Sequence, residues 1–149
     1  MLLHNNFMKT ALIEAEKALK IDEVPVGAVV VLNNKIIARS HNKNHKKNDC
    51  TSHAEIDALR KACKKLKTSR LDDCFIYITL EPCLMCATAI ALAKIKRVYY
   101  ALADKKFGAY ENGNGIFSNY PSYYKAEIYS SLCENESLRL IQSFFKDKR

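Results

Sequence analysis

The chain has 149 residues and a mass of 17.0 kDa, 48% of them hydrophobic and 27% charged. That is ordinary for a soluble globular protein, and long enough to bury a core, since a chain of this size hides roughly 68–70% of its unfolded surface. Lys and Arg number 24 against 16 Asp and Glu, a net charge of +8, which suits a polyanion such as nucleic acid without demanding one. No run nears the ~20 apolar residues of a membrane span, and the stretch Met1 to Met8 lacks the apolar core of a secretory signal. The six cysteines (Cys50, Cys63, Cys74, Cys83, Cys86, Cys133) therefore read as reduced thiols of a cytoplasmic protein, where a Cys-x-x-Cys signals metal or redox chemistry.

In chain order, Met8, Leu12, Ala15 and Leu19 recur at helical spacing and predict an amphipathic helix over roughly 5–20. Val26 to Leu32 is a β-branched run fit for a buried strand. Asn33-Asn34 then turns the chain into a second strand, Lys35 to Arg39. The polar stretch 41–52 reads as loop. Ala54, Ala58, Ala62 and Leu66 predict a helix to about Lys67, with Ser52 as its N-cap. Cys74 to Thr79 is a third strand, and Pro82 opens a helix ending near Lys94. Lys96 to Ala101 is a fourth strand. Residues 102–124 hold Gly108, Gly113, Gly115 and Pro121 and read mostly as loop. A weak fifth strand, Lys125 to Tyr129, precedes a last helix from Glu134 or Asn135, with Leu138, Ile141, Phe144 and Phe145 on one face. The order predicts one α/β domain over 1–149 (core about 5–147), a three-layer α/β/α arrangement on a mixed five-stranded sheet.

Two short runs carry the chemistry: His53-Ala54-Glu55 and Pro82-Cys83-Leu84-Met85-Cys86. Cysteines at i and i+3 share a helix face, and a helix N-terminus favours their thiolates. If the two helix starts converge, His53, Cys83 and Cys86 bind one zinc ion and leave a fourth position for water, the pattern of a catalytic site. Water in that position is acidified toward neutral pH. Glu55, in the first turn beside the metal, can carry protons between that water and a substrate. Two plainer readings stay open: a redox Cys-x-x-Cys pair, and a closed structural site with Cys50 as fourth ligand.

H-x-E followed by P-C-x-x-C is the signature of zinc deaminases acting on nucleobases. With it come Glu23-Val24-Pro25-Val26-Gly27-Ala28, Asn42, Thr79-Leu80-Glu81, Lys94 to Val98, Asp104, Lys106 to Ala109, and Phe144-Phe145-Lys146. The chain so resembles the cytidine/deoxycytidylate deaminase superfamily, and most of all its bacterial tRNA adenosine deaminase branch. The resemblance implies zinc-dependent deamination of adenosine to inosine at the wobble position of a tRNA anticodon: hydroxide on zinc attacks C6, Glu55 shuttles protons, and ammonia leaves. It also implies that Asn42 bonds the flipped base, that Ala54 and Val26 line its pocket, and that Asp104 contacts the sugar-phosphate with Lys106 nearby. By the same resemblance Phe144 or Phe145 would wall a site for a neighbouring nucleotide, and a homodimer is implied. Asn42 could instead be a loop cap, Asp104 a solvated turn residue, and Val26 and the phenylalanines core. Cys50, Ser52, Thr88 and Ala103 depart from the branch's usual residues. Lys43, Lys46, Lys47, Lys105, Lys106, Lys146, Lys148 and Arg149 are expected near the pocket, in keeping with an RNA substrate. The rival readings are a deaminase of free cytosine, guanine or a nucleoside, and a non-catalytic zinc-stabilised RNA-binding module, with which Glu55 is hard to reconcile.

Overall fold

In the computed structural model, which describes residues 1–111, 120 and 122–148, side-chain alternation along the central strands decides the layering. Helix α1 (Leu2–Lys20) leads into the hairpin β1 (Gly27–Leu32) and β2 (Lys35–His41). There follow α2 (Asn44–Lys47), α3 (Ala54–Leu66), β3 (Phe75–Leu80), α4 (Leu84–Leu92), β4 (Arg97–Leu102), β5 (Glu127–Tyr129) and α5 (Glu134–Lys146). The sheet runs β2-β1-β3-β4-β5, antiparallel at β2/β1 and β1/β3 and parallel from β3 to β5. Ala28, Val30, Ile76, Ile78, Val98 and Tyr100 pack with α3 and α4 in one core. Their neighbours Val29, Val31, Tyr77, Tyr99 and Ala101 pack with Phe7, Met8 and Ala11 of α1 in the other, and α5 lies beside α1 against β3 and β4. Period-two alternation in strands apolar on both faces thus produces the expected three layers.

Asn33 and Asn34 take φ of 49° and 61°, the two left-handed residues of a tight hairpin turn. Gly27 has a different reason to be glycine. A Cβ there would lie 1.9 Å from the Ala11 carbonyl oxygen, so α1 crosses β1 closer than any side chain allows.

Four local expectations are corrected. The stretch 41–52 is not all loop, because residues 44–47 form α2, pinned where the Glu23 carboxylate accepts the Lys46 backbone N–H at 2.9 Å. Ser52 does not cap α3; its hydroxyl donates to Asp57 Oδ2 at 3.0 Å, and His53 holds the N-cap position. Pro82 lies two residues before α4, whose N-cap is Cys83. On α5 the buried residue is Ser137, bonded to the Thr79 carbonyl, while Leu138 is 36% exposed. Ile141 and Phe145, one and two turns on from Ser137, line the cavity described below, Phe145 with 48% of its surface exposed. Gly113, Gly115, Pro121 and Arg149 lie outside the described residues.

Candidate active site

Two helix N-termini meet at the end of β3. His53 and Cys83 are the N-cap residues of α3 and α4, both with extended backbone, and neither side chain caps its own helix. They turn toward each other: His53 Nδ1 lies 3.7 Å from Cys83 Sγ and 3.5 Å from Cys86 Sγ. These three residues could hold a metal ion, their ligand atoms all lying within 4.8 Å of one another. Cys50 is exposed and outside that cluster, so the described residues supply three ligands and no closed fourth. The six cysteines are all free thiols.

The electrostatics set one sulfur apart from the other. Cys83 is drawn down to about 4, first by its hydrogen bond with Cys86 and then, against burial, by His53. Cys86 is pushed up by sharing its proton with Cys83 and by burial, and the Cys83 contact also raises His53. Glu55, second residue of α3, is buried, and burial lifts its carboxyl to about 7. Its Oε2 is fully enclosed with no hydrogen-bond partner. A buried carboxyl oxygen left unpaired costs stability, and it makes chemical sense if a ligand completes it.

With His53, Cys83 and Glu55 at its lining, a cavity of about 1050 Å³ opens to solvent. Of the other residues singled out in the sequence, Val26, Asn42, Asp104, Lys106 and Phe145 line it. Ala54 and Cys86, both fully buried, and Phe144 do not; Phe144 packs edge-on against Phe145, with Lys148 over its ring. Asn42 does act as a cap: its Oδ1 accepts the Ala54 N–H at 2.8 Å, supplying across sequence what His53 withholds from α3. That bond commits the amide oxygen and leaves Nδ2 as the group to donate to a ligand. The basic residues divide. Lys105 and Lys106 line the cavity, whereas Lys47 pairs with the buried Asp57 at 3.2 Å.

Two carboxylates without an expected role, Glu81 and Glu23, build the walls of this cavity; for Glu81 the available signal was a carboxylate between Leu80 and Pro82. Glu81 is 2% exposed. Its two oxygens accept the N–H groups of Asp104 at 2.9 Å, Tyr110 at 2.9 Å and Glu111 at 2.7 Å, fixing the wall after β4. Gly108 is required there, because a Cβ would fall 2.2 Å from Glu81 Oε2. Glu23 holds the facing α2 wall.

The MafB19-like deaminase family model matches residues 3–149. A tRNA-specific adenosine deaminase of Agrobacterium fabrum is 47% identical over 144 residues, covering 97% of this chain and 95% of that protein. A solved structure from work on A-to-I editing by tRNA:A34 deaminases superposes with a TM-score of 0.88 at 47% identity, covering 91% of this chain and 98% of the other. A guanine deaminase of Bacillus subtilis gives 0.65 at 44% identity, over 67% of this chain and 64% of that one.

Proposed function

The chain belongs to the MafB19-like deaminase family and, within it, to the tRNA-specific adenosine deaminases, and we propose that it converts the wobble adenosine of a tRNA anticodon to inosine, as one deaminase domain over residues 1–149. The observation that carries this reading is the unpartnered, buried Oε2 of Glu55 beside a three-ligand cluster. A structural site has no use for such a carboxyl.

Zinc is the metal proposed for His53, Cys83 and Cys86. A tetrahedral zinc with Zn–S of about 2.3 Å and Zn–N of about 2.1 Å needs ligand separations of about 3.5–3.8 Å, and the His53 to cysteine distances of 3.5 and 3.7 Å meet that. When bound there, zinc supplies the Lewis acidity that makes water a nucleophile near neutral pH. Glu55 takes a proton from the attacking water, passes it to the adenine ring, and passes the next to the leaving amine. The water oxygen becomes bonded to C6, the C6–N bond breaks, and ammonia departs. A carboxyl whose ordinary value is raised toward 7 by burial gives and takes protons near neutrality.

Asn42 Nδ2 is proposed to donate to the flipped base, with Val26 lining its pocket and Ala54 buried behind the wall. Asp104 and Lys106 contact the adjoining sugar-phosphate, and Phe145, braced by Phe144, walls the site of a neighbouring nucleotide. Anticodon loops suit this because their bases are already splayed, which lowers the cost of extrusion. A cytoplasmic homodimer is proposed as well. No helix of the described residues is long and apolar enough to cross a membrane. Helix α4 is apolar nearly all round yet leaves Leu84 48% and Leu92 64% exposed, a face suited to a second copy; sedimentation showing only monomer at assay concentration would contradict the dimer.

The test of the mechanism is Glu55→Ala, assayed on an anticodon stem-loop. Zinc content and RNA binding should persist while turnover falls by a factor on the order of 10² or more, as removal of a general acid/base does. Near-normal turnover would sink the assignment.

A further inference from the structure

One large aromatic at the cavity has no place in the chemistry above. Phe107 lines the same cavity as His53 and Glu55, yet its side chain is 62% exposed. A solvated phenylalanine on a loose loop would mean little. This one is on a loop tied down at and around it: Asp104 Oδ1 accepts the backbone N–H groups of Lys106 at 2.9 Å and Phe107 at 3.1 Å, and the Asp104 carbonyl accepts that of Gly108 at 2.9 Å. Gly108 is bridged to Cys83, and Ala109 N–H donates to the Pro82 carbonyl at 3.0 Å. The ring is thus carried on backbone joined directly to Cys83, so its point of attachment is in fixed register with the candidate ligands. Lys106 Nζ stands 5.1 Å from the ring centroid, and Lys105 lines the same wall.

We propose that Phe107 is a stacking platform for the nucleobase adjoining the target adenosine, with Lys106 and Lys105 meeting the phosphate beside it. An exposed ring, a cation against it and a basic margin are what single-stranded nucleic acid requires. Stacking holds a splayed base whatever its identity, and the cations follow the backbone. Anchoring the backbone beneath the ring before binding lowers the ordering cost at the moment of association. The inference rests on the tRNA deaminase reading of this site and adds a residue to it.

The experiment uses the full chain with zinc and an anticodon stem-loop carrying the wobble adenosine, unmodified or made abasic at the nucleotide immediately 5′ or immediately 3′ of the target. Phe107→Ala should raise KM roughly tenfold or more with kcat little changed. Phe107→Trp should restore the KM, since it keeps a π-face, and Phe107→Leu should not. On one flank, the abasic substitution should cost the unmodified enzyme about what Phe107→Ala costs, and the two together should cost no more than either. Unchanged KM in Phe107→Ala, full recovery by Phe107→Leu, or additive losses on both flanks would overturn the platform while leaving the deaminase reading intact. No inosine from the unmodified enzyme would overturn both. Melting temperatures of the variants separate a lost contact from a lost fold.

Discussion

Asn42 holds the mouth of α3 through one bond, its Oδ1 accepting the Ala54 N–H. Asn42→Ala would leave that N–H unpaired. We expect a stability loss of about 1–2 kcal/mol by urea titration, together with weaker turnover as His53 and Glu55 lose their anchorage. Unchanged unfolding would show that the cap matters little. His53, Glu55, Cys83 and Cys86 are legible in the sequence because ligand and acid/base must sit in the first turns of two helices, a requirement written in three or four adjacent positions. Asn42 is legible as a loop residue or loop cap, but the helix it caps, twelve positions on, is not. Glu81 stands in a legible motif, yet its three backbone partners lie 23 to 30 residues away and leave no local sign. Ser52 reads as a cap and is instead claimed by Asp57, a buried carboxylate that also holds Lys47.

At the scale of elements, periodicity gave every helix and strand that packs on the sheet, with ends shifted by a few residues. It failed where packing decides. Helix α2 is too short to show a period and exists because Glu23 and the left-handed Asn48 (φ 50°) close it. Of the face expected on α5, Ile141 and Phe145 do reach the cavity; the residue that periodicity hides is Ser137, buried by a hydrogen bond to β3 and not by hydrophobicity. The close crossing of α1 over β1 depends on Gly27. Gly27→Ala should force the two elements apart at the Ala11 carbonyl and destabilise the protein by roughly 1–3 kcal/mol or more, read as a lower Tm. Because Gly27 neighbours Val26 in the cavity wall, KM should rise as well. An unaltered Tm would mean that α1 shifts freely, contrary to the packing of Met8, Ala11 and Ala15, each with no exposed surface.

The molecule as a whole places an acidic scaffold under a basic rim. Buried Glu23 and Asp57 accept from the Lys46 N–H, the Ser52 hydroxyl and Lys47 on one side of the cavity, and buried Glu81 fixes the loop that bears Lys105, Lys106 and Phe107 on the other. The cavity they frame has a volume of about 1050 Å³ and opens to solvent, which suits a flipped base with chain on either side of it. That openness separates the proposed RNA substrate from a free purine, for which the similar guanine deaminase of Bacillus subtilis stands as the rival. The most direct measurement offers the zinc-loaded protein an anticodon stem-loop with adenosine at the wobble position and, in parallel, free guanine, cytosine and adenosine, following ammonia release and product nucleosides. The account predicts inosine at the wobble position with matching ammonia and negligible turnover of the free compounds; rapid deamination of free guanine or cytosine with the stem-loop left intact would contradict it.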